Sequence, residues 1–410
     1  MKPSILLLFC LSLVSAFAPA AAGATKITQL FDFPCSSVKG TLVCPDGARP
    51  VKLLQASDGN FYGSAAVTDN VGSLAQGGTI FKITPAGQLT VLFRFAKDKN
   101  GIYSNGDGPA FLVDGKDGFL YGATTSGGTN NAGLVFRVGK SGGFKKVHAF
   151  CSDSNCSDGA TPSGLILGRD GNLYGATEFG GSDNPACGLG SSGCGTLFRI
   201  TPAGSNLTTL FAFQGSAADG RTPFGLIQGT DGNFYGSAIG PGTLTDTSEI
   251  FQATASGQLT VIHQFPYPVF PTGGVAQASN GKLFGLVGSQ FLPDFPFFAL
   301  DPSGQNFQMF ASLQPTQGGL PPVLQTLASD GNLWGVDPLG GQNGTVFAFS
   351  SSGTVVTTIP FSGLNGSIPS SVIQAADGKL YGTTTDGGTD KNHRQPHGVV
   401  YVIDAGLPAN

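Results

Sequence analysis

Short hydrophobic stretches recur along the chain in one fixed order, separated by Asp-Gly and Pro-x-Gly turns. The most regular segment is residues 58–63 (DGNFYG), and copies of it return at intervals of about 50 residues. Its seven copies begin at Asp58, Asp117, Asp170, Asp231, Asn280, Asp330 and Asp377. Glycine in each turn can adopt a positive φ, so the pattern predicts tight hairpins between strands.

Each copy lies inside a larger unit that predicts four strands. One apolar run precedes the Asp-Gly turn (strand A) and a second follows it (strand B). After a longer loop comes a segment such as residues 78–83 (GTIFKI, strand C), then a Pro-x-Gly turn and a run such as residues 89–95 (LTVLFRF, strand D). Four-stranded units with a period of about 50 residues are typical of propeller blades. We therefore predict an all-β fold, a seven-bladed β-propeller with four-stranded antiparallel blades.

The two ends of the chain predict how the ring closes. The seventh unit has strand C at residues 398–403 and no run that matches strand D. The missing run is found at the other end, where residues 25–33 (TKITQLFDF) match residues 88–95. We expect the N-terminal strand to complete the last blade, which leaves no open sheet in the ring.

The motifs DGN[LF]YG and GT[IL]F[KR]ITPAG resemble those of the GloVer tandem-repeat family, also named choice-of-anchor tandem repeat GloVer-containing proteins. The resemblance covers essentially all of the chain after residue 24 and is clearest in units one, three and four. Units five and six are degenerate, and Asn280 replaces the aspartate of the turn in unit five. The resemblance implies β-propeller-like repeats and export, and it implies no particular activity.

The first 24 residues are predicted to be a secretory signal peptide. Lys2 precedes an apolar run over residues 5–14, and residues 22–24 (AGA) provide a cleavage site near Ala24. Because the run is too short to span a membrane, we expect a secreted protein, extracellular or periplasmic, with its propeller at residues 25–410. Charged residues make up 11% of the chain and the formal net charge is −4, so we predict neither nucleic-acid binding nor membrane insertion.

Six cysteines follow the predicted cleavage site, and an even number in an exported chain favours disulfides. Six cysteines allow 15 pairings. Three of the possible pairs join close neighbours: Cys35 with Cys44, Cys151 with Cys156, and Cys187 with Cys194.

All six cysteines fall in the B–C and D–A loops, which a propeller gathers at one end of its blades. We call that end the long-loop face; it includes residues 96–109, 151–162, 177–195 and 383–398. Long loops on a rigid scaffold are typical of binding surfaces. Protection of exported loops against proteases would also explain the cysteines.

Few residues on the long-loop face are candidates for chemistry. A second Asp-Gly pair precedes strand A in the first four units, at Asp46, Asp107, Asp158 and Asp219. Aspartate favours such turns because its side chain caps its own backbone. The alternative is that Asp107, Asp158 and Asp219 bind calcium or a sugar hydroxyl.

Four histidines complete the candidate set. His393 and His397 share a loop with Asp390 and could hold a divalent cation, although H-x-x-x-H is metal-ligand spacing on a helix and this segment is a loop. His148 and His263 stand where other units have a strand D aromatic residue, so we expect them to pack. No other cofactor is predicted.

Stacking the repeats gives two sets with one residue per blade. The first set, just before the Asp-Gly turn, is mainly polar: Gln55, Asp114, Leu167, Gln228, Gln277, Leu327 and Gln374. Such residues either line the central channel or join neighbouring blades, and we favour the second because buried amides normally find partners. The second set is aromatic: Tyr62, Tyr121, Tyr174, Tyr235, Phe284, Trp334 and Tyr381. Its single register favours packing between blades, and Trp334 is the member to test as a ligand-stacking residue.

The leading functional hypothesis is a non-catalytic binding or scaffold module for a glycan or cell-envelope component. It rests on uncharged loops rich in hydroxyl and amide groups, and no catalytic residue is assigned. The alternative is an exported propeller enzyme of the lyase or lactonase type, with or without a metal. Among the two repeat-aligned sets only Asp114 offers a carboxylate from the inner strands, which counts against an enzyme. A third hypothesis is a structural element whose partner is a surface protein.

Overall fold

The computed structural model describes residues 26–38, 41–69, 77–181, 187, 193–204, 206–216, 218–240, 247–289, 295–313, 320–388 and 397–409. The predicted signal peptide lies outside these residues, as do His393 and Asp390. The described strands form seven separate antiparallel sheets, which are the seven blades of a β-propeller. This confirms the predicted fold class.

The strands of the first four blades follow the predicted A–B–C–D order. Strand β1 (Ile27–Asp32) belongs to the last blade and comes first in the chain. Blade 1 consists of β2 (Ser36–Val38), β3 (Thr41–Gln55), β4 (Phe61–Asp69), β5 (Gly78–Ile83) and β6 (Leu89–Phe95). Blade 2 consists of β7 (Asp107–Asp114), β8 (Phe119–Ser126), β9 (Leu134–Gly139) and β10 (Gly142–Ala149). Blade 3 consists of β11 (Ala160–Leu167), β12 (Leu173–Phe179), β13 (Thr196–Ile200) and β14 (Thr208–Ala212). Blade 4 consists of β15 (Arg221–Gln228), β16 (Phe234–Ile239), β17 (Thr247–Ala253) and β18 (Leu259–Pro266).

The last three blades keep the same order. In blade 5 the inner strand is divided in two. Blade 5 consists of β19 (Val269–Pro271), β20 (Ala276–Gln277), β21 (Leu283–Ser289), β22 (Phe295–Leu300) and β23 (Gln308–Leu313). Blade 6 consists of β24 (Val323–Leu327), β25 (Leu333–Asp337), β26 (Thr345–Phe349) and β27 (Val355–Pro360). Blade 7 consists of β28 (Ser367–Gln374), β29 (Leu380–Asp386), β30 (Val399–Ile403) and β1.

The ring closes through β1, as the sequence predicts. This strand pairs antiparallel with β30, with Ile27 opposite Ile403 and Asp32 opposite Val399. The residue that follows this pairing, Phe33, is only 1% exposed and packs edge-on against Phe81 of blade 1. The N-terminal strand is therefore both the outer strand of blade 7 and a contact with blade 1.

The core of the molecule lies between the blades. Its hydrophobic clusters join residues of successive blades, for example Tyr235 of blade 4 with Leu283 and Phe298 of blade 5. The aromatic set identified from the repeats is buried throughout, with every member at most 4% exposed. This confirms that the set packs between blades.

The repeated D-G-x-x-Y motif is held together by its own side chains. In five blades the tyrosine hydroxyl donates a hydrogen bond of 2.7–2.9 Å to the turn aspartate. Burial, followed by this carboxylate, raises the pKa of Tyr121 and of Tyr235 to about 12. In blade 5 the aspartate and the hydroxyl are lost together, as Asn280 and Phe284. A neutral amide in the turn leaves no carboxylate that needs a phenol donor.

The polar set before the Asp-Gly turn joins neighbouring blades, as predicted. The side-chain oxygen of Gln228 in blade 4 accepts the Arg169 N–H of blade 3 at 2.9 Å, while its amide donates to Gly232 O in its own turn at 2.9 Å. Gln55, Gln277 and Gln374 make the same two kinds of contact. Asp114 accepts the Ser57 N–H of the preceding blade at 3.2 Å.

A second contact between blades recurs near the long-loop face. At the start of strand A, a backbone N–H donates to a carbonyl just before strand C of the preceding blade, at 2.8–3.1 Å. The five donors are Arg49, Gly108, Thr161, Thr222 and Ile368, all with positive φ and all followed by proline. The proline packs on the glycine that begins strand C: a Cβ added to Gly398 would lie 2.7 Å from Pro50 Cδ. This contact explains why the strand C motif so often begins with glycine.

Candidate functional site

The three disulfides all lie at the long-loop face, and they join the close neighbours in the sequence. Cys151–Cys156 lies in the loop between β10 and β11, and Cys35–Cys44 joins the residue just before β2 to the first part of β3. Cys187–Cys194 lies in the B–C loop of blade 3. Loop closures of this size stabilise by roughly 2–3 kcal/mol each in the chain-entropy model. The face is thus covalently restrained at three places.

Asp158 shows what the Asp-Gly aspartates do in the D–A loops. Its Oδ1 accepts the Cys151 N–H at 2.9 Å, and its Oδ2 accepts from Ser152 Oγ at 2.8 Å and from His148 Nε2 at 2.9 Å. Burial acts to raise the pKa of Asp158, but the hydrogen bonds from His148 and Ser152 outweigh it and lower the pKa. The carboxylate is thereby bound to its own loop.

Asp219 occupies the same position in blade 4. It accepts the Gln214 N–H at 2.7 Å and the Ser216 N–H at 3.0 Å, and it is 6% exposed. Both aspartates therefore use their oxygens in capping the loop. A role for them in holding calcium or a sugar stays a prediction.

Asp107 is placed differently from the other aspartates. In blade 3 the turn glycine Gly159 packs against Thr177, since an added Cβ would collide with that side chain. In blade 2 the glycine that packs in the same way, against Thr124, is Gly106. Asn105-Gly106 is therefore the counterpart of Asp158-Gly159, and the alignment of Asp107-Gly108 with the other pairs is wrong by two residues. Asp107 instead accepts the Gly77 N–H of blade 1 at 2.7 Å.

Trp334 lies in the core between blades and is 3% exposed. Its ring occupies the slot that tyrosine fills in five other blades, and its indole N–H has no hydrogen-bond partner among the described residues. The ring faces are covered by packing. The structure therefore offers no exposed indole surface for a ligand at this position.

Of the predicted metal ligands, only His397 falls within the described part of the chain. It is 3% exposed, and its ring lies close to Cys35 and Cys44, with one ligand atom of each within 4.8 Å of the others. The two sulfur atoms are joined in a disulfide, so they are not the thiolates that a metal site uses. A metal held by His393, His397 and Asp390 stays a prediction.

The strand D histidines pack, as expected. His263 stacks on Phe307 of the next blade with ring centroids 3.8 Å apart, and burial lowers its pKa. The corresponding pair in blades 1 and 2 is Phe93 and Phe144, at 3.9 Å. His148 lies edge-on to Phe150 at 5.1 Å. Both histidines therefore serve as strand D rings.

Glu249 in β17 is a buried acid that the repeat pattern does not predict. It is 0% exposed and stands where blade 1 has Thr79. Gln264 lies opposite it in β18, and a hydrogen bond from the Gln264 side chain acts to lower the pKa of Glu249. A Cβ added to Gly220 would lie 2.7 Å from Glu249 Oε1, so the acid lies directly under the D–A turn of blade 4. Burial, and then the charge of Asp219, raise the pKa of Glu249 to about 8. It is mainly protonated at neutral pH.

Lys52 is the second group that sequence reasoning missed. It lies in β3, the inner strand of blade 1, directly opposite Ser64 of β4. Burial lowers the pKa of Lys52. Within the described ranges, no hydrogen bond or ion pair reaches its ammonium group, and Ser64 Oγ is buried without a partner. The signal in the sequence was a lysine in a strand whose counterparts in other units carry apolar or small residues.

These features define the protein as a seven-bladed β-propeller with disulfide-restrained loops on one face. Its repeats match the Gloeobacter/Verrucomicrobia repeat over residues 27–187 and, in an overlapping match, residues 103–291. The chain therefore belongs to this repeat family, which confirms the resemblance noted from the motifs. No curated protein matches the chain. Among the described residues, no helix has the length and apolar character needed to cross a membrane.

Solved structures with the same ring come from proteins of different function. Hydrazine synthase from Kuenenia stuttgartiensis is 15% identical with a TM-score of 0.57, over 91% of this chain and 100% of that one. Oligogalacturonate lyase from Vibrio parahaemolyticus is 10% identical with a TM-score of 0.53, over 94% of this chain and 98% of that one. At such identities the similarity shows the fold alone.

Proposed function

We propose that the protein is a secreted, non-catalytic binding or scaffold propeller that holds a glycan or cell-envelope component on its long-loop face. The observation that carries this proposal is the position of the three disulfides, all of which restrain loops of that face. Disulfides are typical of exported proteins, which fits the predicted signal peptide. Restrained loops bind with a smaller loss of conformational entropy than free loops.

Exposed apolar side chains at this face support a binding role. Phe179 at the end of β12 is 40% exposed, Ile239 at the end of β16 is 37% exposed, and Ile102 in the loop before β7 is 51% exposed. The surrounding loops are rich in Ser, Thr, Asn and Gly. Apolar surface beside hydroxyl and amide groups suits a sugar, which offers both C–H faces and hydroxyls.

Two other hypotheses remain as alternatives. An exported enzyme of the lyase or lactonase type would need a carboxylate, histidine or metal open to substrate, and the acid with the largest shift toward neutrality, Glu249, is fully buried. A protein partner would use the same long-loop face. The binding experiment below separates these alternatives by the ligand that the protein retains.

A thermal-shift screen of the mature protein against polysaccharide fragments tests the proposal. A fragment present at about 100 times its Kd should add about 2.7 kcal/mol of stability. Phe179→Ala should reduce the shift, while Val356→Ala should not, because Val356 is 53% exposed on the outer strand β27 instead. The absence of a shift with every polysaccharide fragment, or an equal shift in both variants, would contradict binding of a glycan at this face.

A further inference from the structure

The inner strand of blade 1 carries an unusual pair of polar side chains. Lys52 on β3 and Ser64 on β4 are directly opposite each other in the antiparallel ladder, so their side chains lie on one face of the sheet. The corresponding pairs are Phe111 with Ala123 in blade 2 and Val323 with Val336 in blade 6. The pair is Phe224 with Ser237 in blade 4 and Ser371 with Thr383 in blade 7, so the lysine is what distinguishes blade 1.

The position of the pair follows from the neighbouring repeats. Phe111 packs into the cluster between blades 2 and 3, together with Leu165 and Leu173. By the same register, Lys52 faces the space between blades 1 and 2, close to the ring axis because β3 is the innermost of the long strands of its blade. Its methylene groups fill a slot that elsewhere holds an apolar side chain.

Neither polar group is satisfied by the protein. Among the described residues, no acceptor lies within hydrogen-bond distance of the Lys52 ammonium and no carboxylate lies within ion-pair distance. Ser64 is 0% exposed, and its hydroxyl has no partner either. The corresponding serine of blade 4, Ser237, donates to Gly273 O at 3.0 Å. The Lys52 side chain is partly exposed and its ammonium has no partner among the described residues, so one anionic acceptor placed there would pair with it and also give the buried Ser64 hydroxyl a partner.

We infer that Lys52 and Ser64 form a subsite for one oxyanion group of the ligand, the carboxylate of an acidic sugar. This inference rests on the proposed glycan-binding function and specifies its ligand class. Lysine acts as a point charge toward an oxyanion, and the serine hydroxyl donates a second hydrogen bond. Sulfate and phosphate esters present the same chemistry, so the experiment must distinguish the three anions.

The test measures the binding of galacturonate, inorganic sulfate, inorganic phosphate and neutral galactose by calorimetry at constant ionic strength. The native protein should bind galacturonate, and Lys52→Met should weaken binding at least about tenfold, the loss expected for one hydrogen bond to a charged group. Ser64→Ala should cause a smaller loss. Lys145→Met, which removes an exposed lysine of β10, is the matched control and should have no effect.

Both variants should fold, because apolar residues occupy the position of Lys52 in blades 2 and 6 and alanine occupies that of Ser64 in blades 2 and 3. Affinity should fall as the pH is raised in the native protein and stay constant in Lys52→Arg. Sulfate or phosphate binding that Lys52→Met abolishes would support the subsite and assign it to an ester in place of a carboxylate. Equal galacturonate affinity in native protein and Lys52→Met, or no binding of any of the three anions, would overturn the inference. If neutral polysaccharide fragments still bound the native protein and Lys52→Met equally, the proposed glycan-binding function would stand although the anion subsite would not.

Discussion

The substitution Glu249→Gln tests whether the protein folds around a protonated carboxyl group. Glutamine has nearly the same shape as a protonated glutamate and cannot ionise. The native acid has a pKa of about 8 in place of the usual 4.5 because it is fully buried and lies close to Asp219. Between these values the folded protein holds a proton that the unfolded chain releases, so the free energy of unfolding decreases as the pH rises.

The size of the effect follows from the pKa difference. One pH unit within this window is worth about 1.36 kcal/mol, so the native protein should lose about 3 kcal/mol between pH 4.5 and pH 7. The stabilisation is complete below pH 4.5 and is lost as the pH approaches 8. Glu249→Gln should therefore be more stable than the native protein by about 3 kcal/mol at pH 7 and by less than about 1 kcal/mol at pH 5.

The assay is unfolding followed by circular dichroism at several pH values from 5 to 8. Asp330→Asn is the matched control, since it removes a carboxyl group from an exposed turn and reproduces the Asn280 turn of blade 5. The control should keep the pH dependence of the native protein, and Glu249→Gln should lack its largest component. An identical pH dependence in native protein and Glu249→Gln would refute the assignment of a neutral acid.

Three further predictions concern the ring. Deletion of residues 25–33 should lower the melting temperature sharply, because it removes the outer strand of blade 7; an unchanged melt would mean that β1 does not close the ring. Gln228→Leu should destabilise by about 1–2 kcal/mol, since it removes the bonds to Arg169 N–H and Gly232 O, and denaturant unfolding measures the loss. An unfolding midpoint equal to that of the native protein would show that these bonds contribute nothing. Asp231→Asn should lower the pKa of Tyr235 from about 12, which titration of the phenolate absorbance reports, and an unaltered titration would assign the raised pKa to burial alone.

The repeat pattern was sufficient for the architecture because every blade reuses one set of contacts. The Asp-Gly turn, the tyrosine that bonds to it and the glutamine that joins the next blade each recur at one position, so their role can be inferred from their recurrence. The N-terminal strand could be placed for the same reason, since it matches strand D of other units.

The features that sequence reasoning missed are those found in a single blade. Glu249 and Lys52 each occur in one blade only, at positions that the other blades fill with different residues. The repeat pattern therefore does not predict them. Their environment depends on which groups of neighbouring strands and loops surround them, which the pattern does not specify. Asp107 was misaligned because the sequence around it, Asn105-Gly106-Asp107-Gly108, offers two Asp-Gly-like turns, and only the contact of Gly106 with Thr124 decides between them.

The pairing of β1 with β30 has a mechanical consequence. Ile27 is opposite Ile403, so the outer ends of the two strands lie side by side at the same edge of blade 7. Tension applied between residues 26 and 404 would load the ladder from that edge and break its hydrogen bonds one after another, as in unzipping. A shear load, by contrast, would strain all of these hydrogen bonds at once. Under force the ring should therefore open first at blade 7, while the other six blades, each a continuous stretch of chain, stay intact.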